Sequence, residues 1–252
     1  MRSSIDINCD AGEGFDIEAA IMPYISSVNI ACGGHAGNEH TIRSTIRIAK
    51  THNVTIGAHP SYPDTKNFGR TVLAIDSNTL LQSIAEQIEL IETIAAEEHY
   101  PIGHVKLHGA LYNEAAKNKT LANSLVTMIA QINSTWVIVG PPASELQKAA
   151  NAYKLSYCNE GFIDRTYQDD GSLTPRTHPQ ALIQDESNSI AQALQIIRQK
   201  QVTSLSGKII SLAADTLCVH GDGPHAVLFA RSLSDQLKKE NITIQPAYER
   251  HK

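Results

Sequence analysis

The sequence predicts an α/β protein built on a parallel sheet of seven strands, and three observations carry that prediction. Seven short apolar, extended runs alternate with segments of helical periodicity, and parallel neighbours need a crossover of the kind a helix supplies. The 252 residues, 42% of them hydrophobic, are long for an ordinary domain but typical of one α/β barrel. Most of the strand-like runs also end in a cluster of polar, titratable or glycine residues. No composition shift, Ser/Gly linker or internal repeat divides the chain, so residues 1–252 read as one domain. A closed barrel and an open doubly wound sheet both satisfy this pattern.

In chain order, strands are expected over residues 5–10, 28–32, 54–59, 104–108, 136–140, 155–160 and 216–220. Asn38 is placed to cap a helix running to about Lys50. Ser77 is placed to cap a longer one, with Leu81, Ile84, Ile88 and Ile91 at helical spacing. Further helices are expected over 121–132, 144–151, 179–199 and 224–239. In the last, Ala226, Phe229, Ala230, Leu233 and Leu237 form one apolar stripe. Two loops, 60–76 and 161–178, exceed the usual βα length and are rich in Gly, Pro, Asp and Arg, as a substrate lid would be.

Charge and composition exclude several classes of function. A net charge of −5 and a pI near 6.1, with basic residues scattered, give no reason to expect nucleic acid or an anionic membrane as partner. The N-terminus has no signal-like apolar core, and no run approaches the roughly 20 residues needed to span a bilayer. A cytoplasmic location follows as the expectation. The four cysteines, Cys9, Cys32, Cys158 and Cys218, lie far apart in sequence and read as small buried hydrophobes in a reducing compartment.

In a parallel barrel the C-terminal ends of all strands face one rim, where such folds carry their chemistry. Here that rim gathers Asn8, Asp10 and Glu13; Asn29, His35 and His40; His59 and Asp64; Lys106, His108 and Tyr112; Glu160, Asp164 and Arg165; and His220 and Asp222. The opposite ends, such as Thr51-His52-Asn53, read as solvated turns. Lys106 and His108, two apart in an extended run, would point to one face. An inward ammonium must be paired or functional, with Glu160 or Asp10 as candidate partners. Asp10, His35, His40 and His59 could converge on a divalent metal from different strands.

His220-Gly221-Asp222-Gly223-Pro224-His225-Ala226 nominally fits a dinucleotide fingerprint. It sits at the wrong end of the chain for one, and only an anion site at the following helix is expected. There is no phosphate-binding Gly-rich loop ending in Lys-Ser/Thr, and no nucleophilic serine elbow. A rim of carboxylates, imidazoles and one amine fits general acid/base attack of water on a carbonyl.

Eight motifs together resemble one family. They are Asp6-Ile7-Asn8-Cys9-Asp10-Ala11-Gly12-Glu13, Asn29 through Gly37, Ile56-Gly57-Ala58-His59-Pro60, Phe68-Gly69-Arg70, Val105 through Tyr112, Asp164-Arg165-x-Tyr167, Gly171-x-Leu173-x-Pro175-Arg176 and Cys218-Val219-His220-Gly221-Asp222. In this order they resemble the LamB/YcsF family, the A subunit of bacterial ATP-dependent 5-oxoprolinase. Gly34, Leu107, Gly223 and the single Arg70 depart from the usual pattern, and only the missing second arginine removes a charge.

The resemblance implies a seven-stranded, TIM-like (β/α)7 barrel of the glycoside hydrolase/deacetylase superfamily. It also implies ring opening of 5-oxo-L-proline to L-glutamate with ATP hydrolysis, in a complex with two other subunits that would bind the ATP. On this footing the expected catalytic groups are Asp10, His35, His59, Lys106, His108 and Glu160. Asp10 or His108 would deprotonate water, and Lys106 or an amide of the Gly33-Gly34 turn would stabilise the developing charge. Substrate contacts are expected from Asn8, Glu13, Asn29, Arg70, Tyr112, Arg165, Arg176, His220 and Asp222, with Arg165 or Arg176 holding the carboxylate. Two readings compete: a metal-dependent deacetylase of N-acetylated sugars, and a purely binding role without catalysis.

Overall fold

The computed structural model describes residues 4 to 248, so His251, expected in solvent, lies outside the described residues. Seven parallel strands close on themselves: β1 (Ser4–Ala11), β2 (Ser27–Ala31), β3 (Thr55–His59), β4 (Ile102–Lys106), β5 (Val137–Gly140), β6 (Tyr157–Phe162) and, after a short antiparallel pair β7 (Gln201–Thr203) and β8 (Ile209–Ser211), β9 (Thr216–Val219). Pairing of β9 with both β6 and β1 completes the barrel, and β10 (Thr243–Ile244) adds to the start of β1. The closed sheet settles the choice between barrel and open sheet, and the expected strand count holds.

The helices sit in the crossovers. They are α1 (Glu18–Ile21), α2 (Glu39–His52), α3 (Ser77–Glu97), α4 (Gly109–Lys117), α5 (Lys119–Ile132), α6 (Glu145–Ala152), α7 (Glu186–Gln199) and α8 (Ala226–Lys239). Asn38 and Thr41 form a reciprocal capping box on α2, as the sequence suggested. The cap of α3 is Asp76 rather than Ser77, because the Asp76 carboxylate accepts from the Thr79 amide at 3.0 Å. Asp185 caps α7, so residues 179–185 belong to the preceding loop instead of the helix.

The fourth strand ends two residues before the expected point. His108 gives its amide to Pro60 O at 2.9 Å, and Gly109 then turns with φ +54° into α4, a helix that the periodicity did not reveal. A Cβ at Gly109 would stand 2.6 Å from Gly69 O. Glycine is therefore required there for space as well as for backbone sign. That turn carries His108 onto the rim.

Side-chain alternation in β1 explains where the core lies. Ile5, Ile7, Cys9 and Ala11 are buried in the main apolar cluster, together with α2 residues Ile42 and Ile46, α3 residues Ile84 and Ile88, and α8 residues Phe229 and Leu233. Each such isoleucine stabilises by about 1.5–3 kcal/mol relative to an exposed one. Asn8 and Asp10, one residue out of phase, point the other way and fill the barrel with polar groups. A small second apolar cluster of Val137, Val139, Cys158 and Ala247 occupies the barrel's β5–β6 side. The four cysteines are free and buried, as expected.

Candidate active site

The barrel interior is a connected hydrogen-bond network with one cation at its centre. Lys106 Nζ lies 2.8 Å from Asp10 Oδ1 and 2.8 Å from Glu160 Oε1. It also reaches Asn8 Oδ1 at 3.2 Å and Cys218 Sγ at 3.1 Å. Asn29 Nδ2 donates to Asn8 Oδ1 at 2.7 Å and to Asp10 Oδ1 at 2.8 Å, and His104 Nε2 donates to Asn29 Oδ1 at 2.7 Å. Asn8 Nδ2 in turn donates to Glu160 Oε1 and to Thr216 Oγ1. Lys106 is only 2% exposed, so the two carboxylates are what make its burial tolerable.

These contacts set protonation. Burial alone would raise the Asp10 carboxyl, but the Lys106 ammonium outweighs burial and holds it well below the usual carboxylate range. Burial alone would lower Lys106, yet Asp10 and the other acidic neighbours hold it well above its ordinary value. Lys106 is thus a fixed cation and Asp10 a fixed anion. His104, absent from the residues expected at the site, is pushed by burial and then by Lys106 down to about 3. It is a neutral donor, and its spacing of two from Lys106 is the signal that would have placed it inside.

A second group crowds the rim beside this network. Glu13, His35, His59 and His108 each present one ligand atom, and these four atoms lie within 4.8 Å of one another. Asp10, Cys218 and His220 form another such trio. His40, the remaining member of the metal set expected from sequence, is exposed on the first turn of α2 and belongs to neither group. The helix begun at Asn38 turns it outward, so it drops out. In its place stand Glu13 and His108, brought in by the turn after β1 and the Gly109 turn.

The site also carries several cations. A cavity of about 580 Å³ is lined by Asp10, His59, Lys106 and His108 together with Arg70, Arg165, Arg176 and His220. Arg70 and Arg176 both pair with Asp222, Arg176 at 3.1 Å. Burial would raise Asp222, but Arg176, His220 and Arg70 outweigh it and keep it below the usual range. His220 Nδ1 lies 3.0 Å from each Asp164 carboxylate oxygen, so Asp164 positions it.

Arg165 is buried and differs from the other two arginines. It donates to Ala181 O at 3.3 Å and Thr174 O at 2.6 Å, both neutral carbonyls, and has no ion-pair partner among the described residues. Burial and then Arg176 lower it to about 10, which leaves it charged at neutral pH.

Tyr112 and Glu160 complete the predicted set. The Tyr112 hydroxyl and Glu160 Oε2 are buried against each other, with no other hydrogen-bond partner among the described residues. Burial and then Glu160 push Tyr112 up.

Two sequence expectations fail here. A Cβ on Gly34 would meet Gln87 and Ser61, so the Gly33-Gly34 turn packs against α3 and does not line the cavity. In the 220–226 loop the amides of Gly223 and Ala226 close the turn on itself, donating to His220 O and Gly223 O, which weakens the anion site expected there. Asp64 is also structural: it accepts from the Asn67 amide and holds the loop that carries Arg70.

A closed parallel barrel with buried acid, base and cationic groups at the C-terminal ends of its strands defines a TIM-like barrel protein with an enzyme-type rim. More particularly, the chain belongs to the LamB/YcsF family, whose model matches residues 5–252. It is 42% identical over 246 residues to the A subunit of 5-oxoprolinase from Geobacillus thermodenitrificans, covering 96% of each chain. To the corresponding 5-oxoprolinase chain of Bordetella pertussis it is 41% identical over 252 residues, covering 98% of this chain and 100% of that one. A lactam utilization protein from Thermus thermophilus has the same fold, with a TM-score of 0.89, 31% identity and coverage of 96% and 99%. Among the described residues no helix is long and apolar enough to cross a membrane.

Proposed function

We propose that this chain is the A subunit of an ATP-dependent 5-oxoprolinase, opening 5-oxo-L-proline to L-glutamate in a cytoplasmic complex with two other subunits, B and C, that bind the ATP. The names of its full-length relatives support this reading. The observation that carries it is Arg165, a buried guanidinium facing the cavity with only neutral carbonyls as partners. A buried cation of that kind is a receptor for an anion, and a small lactam acid supplies one carboxylate.

With the carboxylate on Arg165, the lactam carbonyl would lie in the same cavity that His59 and His108 line. The five-membered lactam is a resonance-stabilised amide, so water attacks it slowly. Transfer of the γ-phosphoryl group of ATP to the lactam oxygen makes the ring carbon electrophilic. One water then adds and the C–N bond breaks, leaving an acyl phosphate and a protonated amine. A second water releases phosphate and glutamate.

Water attack comes from the His59–His108 side. Asp10 is not the base in this reading, because it is held ionised far below neutral pH and its Oδ1 already accepts from Lys106 and Asn29. Lys106 supplies a fixed positive field and locks Asp10 in place. Its protons are committed to the network, so it does not bind the oxyanion directly.

The test is glutamate formation by the reconstituted three-subunit complex with Arg165→Lys and Arg165→Met. Loss of a charged hydrogen bond is worth about 1.5–3 kcal/mol, so KM for 5-oxoproline is expected to rise about 10–100-fold in Arg165→Met. Arg165→Lys, which keeps the charge, should fall between it and the parent. Unchanged KM in both variants would remove Arg165 from the substrate site. Absence of glutamate from the parent complex would remove the reaction itself.

A further inference from the structure

We propose that Glu13, His59 and His108 form a binding site for one divalent transition-metal ion of the zinc class, with His35 orienting the carboxylate.

The ring nitrogens require a cation at this place. His59 Nδ1 lies 2.8 Å from Lys106 O, and His108 Nε2 lies 3.0 Å from Phe68 O. A carbonyl only accepts, so both of these nitrogens carry hydrogen. In a neutral imidazole the other nitrogen then carries a lone pair. His59 Nε2 and His108 Nδ1 therefore aim lone pairs at each other across 3.0 Å, and Asp10 Oδ2 adds a further electron-rich atom 3.5 Å from His59 Nε2. Such a contact repels unless something electropositive is shared. A ring whose far nitrogen donates to a backbone carbonyl is also the usual arrangement of a metal-ligating histidine.

Distances favour an ion over a single proton. Glu13 Oε1 lies 3.5 Å from His108 Nδ1 and within 4.8 Å of His59 Nε2. Metal–ligand bonds of about 2.0–2.1 Å in a tetrahedral site separate ligand atoms by roughly 3.3 Å. The observed edges of 3.0 and 3.5 Å bracket that value. A proton satisfies two nitrogens along one line, whereas an ion takes the third donor as well.

Ring orientations select three ligands from the four-residue group. The His59 and His108 planes cross at 87°, so one point can lie in both. The His35 and His108 rings are stacked, with 3° between planes and centroids 3.6 Å apart. Parallel planes share no point, so His35 and His108 cannot both direct lone pairs at one ion. His35 Nε2 instead donates to Glu13 Oε1 at 3.1 Å, the contact expected of a group that holds a ligand in place. Two imidazoles and one carboxylate suit zinc or cobalt better than magnesium or calcium. His59 and His108 both line the cavity, so the site lies at its edge. Bound there, the ion would supply Lewis-acid assistance on the wall from which water attack is proposed.

The test needs no turnover and so stands apart from the 5-oxoprolinase reading. The chelator-stripped chain is titrated with Co²⁺ and followed by visible absorption, with Zn²⁺ as competitor. One equivalent of Co²⁺ should give ligand-field bands of tetrahedral intensity that Zn²⁺ abolishes. Glu13→Gln and His108→Ala should lose the bands, and His35→Gln should weaken affinity about 10–100-fold. As a control for variants that fold poorly, Zn²⁺ should raise the thermal midpoint of the unsubstituted chain. No saturable band together with no midpoint shift would overturn the proposal and leave a shared proton as the occupant. Bands unchanged in both His108→Ala and Glu13→Gln would overturn it equally.

Discussion

Lys106→Met tests whether the barrel interior is held by one cation. Lys106 contacts Asp10 and Glu160 at 2.8 Å each, and side-chain exposures are 2%, 5% and 0% for the three. Methionine fills similar volume but leaves two carboxylates buried without their ammonium. Removing one partner of a buried pair costs about 3–5 kcal/mol, which for a chain this long corresponds to a fall in Tm of about 6–20 °C. The deficit should depend on pH in a definite direction. In the unsubstituted chain Asp10 titrates below its unfolded value, so its contribution is present above about pH 4 and is lost only as pH falls through the folded pKa. In Lys106→Met the ammonium that holds Asp10 down is gone, so burial raises its carboxyl and folding is penalised as pH rises. Differential scanning calorimetry should therefore find the two chains closest near pH 5 and furthest apart near pH 8. The Asp10→Asn/Lys106→Met/Glu160→Gln triple variant should recover most of the loss. A Lys106→Met chain within about 1 kcal/mol of the parent at pH 8 would refute the account of Lys106 as the central counter-ion.

Other outcomes follow from the packing. Gly57→Ala places a Cβ 2.2 Å from the His104 ring; overpacking of this kind costs about 1–3 kcal/mol, measurable by denaturant midpoint, and a neutral result would mean that His104 can leave the interior freely. Cys9, Cys32, Cys158 and Cys218 are all buried, and burial pushes the thiols of Cys9, Cys32 and Cys218 up, Cys32 to about 12. A thiol reagent should accordingly label fewer than one cysteine per folded chain and all four in denaturant.

Much of the site was legible in the sequence because β-strand alternation is a local rule. Lys106 and His108 share a face by spacing alone, and the position of Asn8, Asp10 and Lys106 in strands, near their exits, marked one rim. The motif likeness likewise identified the family before any coordinate. Short elements escaped for equally local reasons. The β7–β8 pair spans three residues a side, and α4 begins at a glycine that ordinarily signals a stop. His104 escaped because a lone histidine in an apolar run carries no sign of its partner, Asn29, which is 75 positions away in sequence.

By itself the sequence determined the fold class, the strand order along the chain and the clustering of polar groups at strand exits, since each depends on periodicity or contiguous motif. Only the tertiary structure decided that the sheet closes and that Lys106 joins Asp10 to Glu160. The same holds for His40, which faces solvent while Glu13 and His108 meet His59, and for Arg165, which lacks a carboxylate where Arg176 has one. The physical reason is that ionic pairing and hydrogen-bond direction depend on distances of a few ångströms between residues such as Asn8 and Thr216, 208 positions apart. Spacing along a chain does not encode those distances until the barrel has closed.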